Sequence, residues 1–178
     1  MRNTAFLLLG FLVLIVQSTM FRLIDWLHPV LATPSLLLPV VVFMGVHEYS
    51  IGRGAALSFV LGYMLDVFVA GPLGLFTFIT AATFVIARFA GVRLAAQTLL
   101  TKVALAFVFA LLEGVLVVVF TAIVGDDPFR ARATALLVPA HAATTAAFAP
   151  FVFALSERVH LATISSQMPQ DAGGRAAP

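Results

Sequence analysis

The sequence predicts an all-α integral membrane protein with six transmembrane helices. Of its 178 residues, 62% are hydrophobic and only 10% charged, against roughly 45–50% apolar in an average soluble domain. The mean hydropathy is +1.10. The apolar residues gather into runs approaching the ~17–25 residues that a helix needs to cross hydrocarbon, and the charges stand singly between and within them. Scattered basic residues exclude a nucleic-acid surface, because phosphate binding requires Lys and Arg in clusters. The absence of cysteine excludes a disulfide framework, a thiolate metal site and a catalytic thiol.

The first run extends from about Thr4 to Leu23. It follows a single Arg like a signal peptide, but no small-residue cleavage pattern comes after it, so it is read as a retained span. A connection with Arg22, Asp25, His28, Pro29 and Pro34 leads to the second segment, Ser35 to Tyr49, in which Pro39 should introduce a kink. The purely apolar part of this segment, Leu36 to Val46, rises only about 16 Å, so it crosses with the help of polar flanks or crosses incompletely. The third segment, Gly54 to Ala70, carries Asp66, and the fourth, Leu73 to Phe89, follows a tight Gly71-Pro72-Leu73-Gly74 turn. The fifth, Leu99 to Val124, is interrupted by Glu113 and stopped by Gly125-Asp126-Asp127-Pro128. The sixth runs from Thr134 to Leu155. The membrane domain is therefore expected over residues 1–160, with 161–178 as a cytoplasmic tail; Gln167 to Pro178 is too polar and broken to pack and is expected to be disordered.

Orientation follows from Lys and Arg on alternate sides of six spans. Arg2, Arg53, Arg88, Arg93, Lys102, Arg158 and Arg175 share the side of the N-terminus, while Arg22, Arg130 and Arg132 face the other, seven against three. Both termini are accordingly expected in the cytoplasm. No internal repeat is visible, so the inverted-repeat plan of many secondary transporters has no support.

Asp66 is the first candidate functional residue. An unpaired charge in hydrocarbon costs roughly 2.5–3.5 kcal/mol even on mild insertion scales, so an intramembrane acid needs a partner. Gly62 lies one turn before it on the same helix face, where it lets a neighbouring backbone approach closely and the acid bond across the contact. Interhelical bonding is the bland reading; a ligand or proton path, or contact with water near the outer end, are the alternatives. Glu113, followed by Gly114, repeats the puzzle near the middle of its run. His141 shares a face with Thr144 and Thr145 in the sixth segment, making these the expected partners of the acids. Simple helical rise from the outer ends puts Asp66 about 6 Å, His141 about 10 Å and Glu113 about 16 Å deep, a possible polar ladder. His141 and Thr77 are the first candidates to satisfy Asp66. A lone intramembrane His is ordinarily a hydrogen-bonding residue, and no metal is expected.

No catalytic residue is assigned. Asp66 and Glu113 differ in depth, so they make no shared-proton dyad, and Ser58 and His141 lie towards opposite ends of their spans. The glycines at 71 and 74 lack the Lys and Ser/Thr of a phosphate loop, and His47-Glu48 lacks the second His of H-E-x-x-H and belongs to the solvated interface.

The order of these features, Pro34-Ser35-Leu36-Leu37-Leu38, then Gly52-Arg53-Gly54, then FVLGYMLDVFVAGPLGL from Phe59 to Leu75, resembles the MreD family of rod shape-determining proteins. The resemblance is strongest at Gly62, Asp66, Gly71 and Gly74, covers residues 34–90, and extends to about residue 160 through the six-span layout. It implies a non-enzymatic scaffold in the bacterial inner membrane, without cofactor, in contact with lipid. Its implied partner is MreC, in an assembly with MreB, RodA and a class B penicillin-binding protein that directs peptidoglycan synthesis. It also implies a fold similar to the substrate-binding (S) components of energy-coupling-factor transporters, six helices around an outward-facing cavity. Gly62, Asp66, Gly71, Pro72 and Gly74 become structural or partner-binding residues, while Glu113, His141, Thr144 and Thr77 remain buried polar candidates that match no family motif. The rival expectation is a small-molecule or lipid binding component of a transporter.

Overall fold

Six helices follow one another: α1 (Arg2–Leu27), α2 (Leu37–Val46), α3 (Ile51–Val69), α4 (Leu75–Phe89), α5 (Leu99–Val124) and α6 (Pro128–Ser165). They are seen in a computed structural model that describes residues 2–27, 34–47, 50–69, 73–89, 98–124 and 128–165. Gly71, Pro72, Glu48 and the part of the expected tail beyond residue 165 lie outside these segments. Four helices are long and apolar enough to cross a membrane, through Asn3–Met20, Ile51–Val69, Leu100–Ile123 and Thr134–Thr163. The other two are short, with 10 residues in α2 and 15 in α4. By helical rise α2 covers about 15 Å, half of a ~30 Å hydrocarbon core, so the helix alone does not cross.

This shortest helix is the centre of the bundle. Its sequence, LLPVVVFMGV, has no polar side chain, all of its residues are buried, and it touches every other helix. A helix that is apolar all round suits either lipid or a protein interior, and its length decides between them. A half-length helix ends in the middle of the membrane, where no water satisfies its free N–H groups, so it is stable only where other helices bring acceptors to it. Pro39 has no need to kink it. As the third helical residue it sits in the first turn, where a backbone N–H has no intrahelical carbonyl to lose.

Around α2, the close approaches are made at glycines. Helix α3 opens three residues before the expected start at Gly54 and so takes in Gly52 and Arg53, and Gly54 packs so tightly on the Phe84 ring of α4 that a Cβ would overlap it. Gly114 of α5 faces Val138 of α6, where a Cβ would fall 2.5 Å from the valine Cγ1. α6 continues ten residues past the expected end at Leu155, to Ser165, and at 38 residues it is about 57 Å long. Lys102 and the exposed Glu157 pair at 3.3 Å across the end where α5 begins; such an exposed pair contributes ~1 kcal/mol at most. His47, expected at a solvated interface, is half-buried. Its ring stacks on Phe43 at 3.9 Å between centroids and meets His160 edge-on at 5.4 Å.

Candidate functional site

Asp66 is completely buried, at 0% exposure, and it caps α4. Its Oδ2 accepts from the backbone N–H of Gly74 and of Thr77, both at 3.0 Å, and from the Thr77 hydroxyl at 2.5 Å. Its Oδ1 accepts from the N–H of Phe76 at 2.8 Å. The first N–H groups of a helix have no partner within it, and a carboxylate beside them is favoured by the helix dipole as well. The acid that looked expensive in hydrocarbon is therefore fully engaged within one hairpin. Gly74 makes the geometry possible: its φ of +98° belongs to the left-handed region that side-chain-bearing residues rarely adopt, and it turns the chain so that the N–H groups of Gly74, Phe76 and Thr77 converge on Asp66.

Gly62, one turn earlier, sets the distance between the two helices. A Cβ there would strike Thr80 Oγ1 and lie 2.7 Å from Thr77 Cα and 2.8 Å from the Phe76 carbonyl oxygen. Backbone thus meets backbone. Thr80 Oγ1 lies 3.0 Å from the Ser58 carbonyl of α3, sharing its one proton with the nearer Phe76 carbonyl of its own helix at 2.7 Å.

A second polar cluster surrounds the start of α2. The Ser35 N–H donates to Thr145 Oγ1 of α6 at 2.9 Å, and the N–H groups of Leu36 and Leu37 both donate to Gln17 Oε1 of α1, at 3.0 and 3.2 Å. The Ser35 hydroxyl donates to Glu113 Oε1 of α5 at 3.2 Å, and Glu113 Oε2 lies 3.7 Å from His141 Nε2 of α6. Three helices, α1, α5 and α6, thus converge on the start of α2, and the positive end of its dipole meets an acid. Replacing Gln17 with Leu should leave two buried donors without an acceptor and lower stability by about 1–3 kcal/mol per donor. Thermal unfolding of the purified variant measures this, and a midpoint equal to wild type would remove Gln17 as a cap.

The expected ladder is therefore two separate sites. Thr77 satisfies Asp66, while His141 lies against Glu113. Of the two threonines on the His141 face, Thr145 reaches α2, whereas Thr144 Oγ1 turns back to the carbonyls of Ala140 and His141 in its own helix, at 3.1 and 2.9 Å. Thr145 was an expected partner, but sequence reasoning passed over Gln17, Ser35 and Thr80. Gln17 carried a readable signal, an amide in an apolar run; the others are small hydroxyls common in any membrane helix. Gln17, Ser35, Glu113 and His141 also line a cavity of about 250 Å³, with Leu65 and Val69 of α3 among its apolar walls.

The family model described as rod shape-determining protein MreD matches residues 1–159. The chain belongs to the MreD family. The match takes in all of α1 to α5 and most of α6, and with them both buried acids. MreD-family membership, together with four helices able to span a bilayer, makes this a membrane protein with a role in rod shape determination, acting in a complex with other membrane proteins. MreD is a structural, shape-determining family and not a known enzyme family. No curated protein sequence and no solved structure matches the chain.

Proposed function

We propose that this protein is a scaffold of the rod-shape machinery that binds the membrane span of MreC and thereby helps to position peptidoglycan synthases, RodA and a class B penicillin-binding protein, along filaments of MreB. The family match over residues 1–159 carries this reading. The geometry of Asp66 agrees with it, because an acid whose bonds all run within the α3–α4 hairpin holds a shape and does no chemistry. In this reading the protein lies in the inner membrane with both termini in the cytoplasm, as the seven-to-three distribution of basic residues favours. Likeness to the S-component fold belongs to the same proposal, supported by a helical bundle with a partly open cavity between its helices.

The test is co-purification of MreC from solubilised membranes with the wild-type chain and with an Asp66→Ala variant that still reaches the membrane. The wild type should retain MreC, and the variant should lose most of it together with rod shape. Failure of the wild type to retain MreC would sink the scaffold reading, whereas unchanged binding and shape in the variant would remove only Asp66 from it.

A further inference from the structure

Glu113 is 4% exposed and stands eleven residues, about 16 Å by helical rise, before the last residue of α5. One of its oxygens is engaged by Ser35. The other, Oε2, is buried and makes no hydrogen bond among the described residues. His141 Nε2 stands 3.7 Å from it, which is ion-pair range but too long for a hydrogen bond. Both residues line the cavity of about 250 Å³. A buried carboxylate oxygen without a donor is a costly arrangement, and it borders space in which a donor can be placed.

The chemistry of the walls narrows the occupant. We infer that the cavity binds one end of a small amphiphile, with a terminal hydroxyl between Glu113 and His141 and an apolar body along Leu65 and Val117. A hydroxyl donates to Glu113 Oε2 and brings no second charge into the site, whereas a second carboxylate is repelled. The volume equals about eight waters' share of liquid, just below the ~300–1,000 Å³ of pockets that enclose drug-sized ligands. It therefore admits one end of a molecule and not a whole lipid. Water, which needs two to four polar partners when buried, finds them only at the end formed by Gln17, Ser35, Glu113, Thr134 and His141, and the walls along Leu65, Val117 and Leu137 offer none. An alkyl body has no such requirement. The cavity shares Leu65, Val69 and Phe76 with the α3–α4 hairpin, but its polar end at Glu113 and His141 belongs to α5 and α6, and the test needs no MreC.

The experiment is thermal unfolding of the purified full-length chain, without partners, titrated with octan-1-ol or with its isomer methyl heptyl ether, which has the same atoms but no O–H. Octan-1-ol should raise the midpoint saturably by several degrees, as expected for a ligand that binds the folded state, with at least tenfold higher affinity than the ether. Glu113→Met should bring octan-1-ol down to the level of the ether. Val117→Trp, which fills the cavity and leaves the acid intact, should abolish both saturable responses and keeps the test decisive if Glu113→Met does not fold. Equal responses to the two isomers in the wild type, no saturable response, or an undiminished octan-1-ol response in Val117→Trp would each overturn the inference. Octylamine binding more tightly than octan-1-ol would overturn the hydroxyl.

Discussion

Replacing Asp66 with Ala should lower the stability of the chain by roughly 3–5 kcal/mol, in the range reserved for loss of a buried network. Three backbone donors and one hydroxyl lose their acceptor at once, and each buried donor left unsatisfied costs about 1–3 kcal/mol. An ordinary helix cap, which serves one or two donors and can fall back on water, is worth only about 0.5–2 kcal/mol. Asp66→Asn should be milder, since the amide keeps one acceptor oxygen but turns an NH₂ towards donors. The damage should be local. Hydrogen exchange at Gly74, Phe76 and Thr77 should accelerate in the Ala variant well before exchange at Leu37 to Val46. An Ala variant within about 1 kcal/mol of wild type, with unchanged exchange at those three amides, would show that Asp66 does not hold the hairpin.

Gly62→Ala should be nearly as damaging, although it adds a single methyl group. Overpacking costs typically ~1–3 kcal/mol where side chains can adjust, and here two of the three nearest atoms, Thr77 Cα and the Phe76 carbonyl oxygen, belong to backbone. The α3–α4 pair must therefore separate, which also strains the donors that Asp66 gathers. Gly52→Ala is the control, since nothing lies within 4 Å of its would-be Cβ; there the better helix propensity of Ala should stabilise by about 0.5 kcal/mol. A second control separates side-chain from backbone crowding. Thr80→Ala in the Gly62→Ala background removes the clash with Oγ1 but leaves the other two atoms in place, so it should restore little. Full recovery in the double variant, read by unfolding midpoint, would mean that only a hydroxyl was in the way.

Much of this was legible along the chain, because it depends on short-range spacing. Hydrophobic runs locate helices wherever they fall, and the six segments expected from hydropathy correspond to the six helices observed, with the largest departure at α6, which begins six residues earlier and ends ten residues later than expected. The relation between Gly62 and Asp66 is a matter of one helical turn, and Thr77 is close to Asp66 in sequence, so a hairpin between them brings the two together. The rise of about 16 Å from Glu113 to its own helix end stands for the same reason, whereas the figure for His141 does not, because α6 begins at Pro128 and puts His141 about 20 Å from its start.

By itself, then, the sequence determined that the chain is a helical membrane protein, where its helices run, and that the hairpin around Asp66 is closed by local contacts. Tertiary structure alone decided that α2 is the core of the bundle. It also decided that Gln17, Thr145 and Glu113 meet at the start of α2, and that His141 faces Glu113 and not Asp66. The physical reason is that lipid and protein interior are equally apolar, so hydropathy does not distinguish a buried helix from a lipid-facing one. Nor does spacing within a helix relate residues 19 to 110 positions apart in the chain, as are those bonded around α2. A half-length helix that must hide its free N–H groups draws polar side chains from several neighbours, and only the packed bundle shows which ones answer.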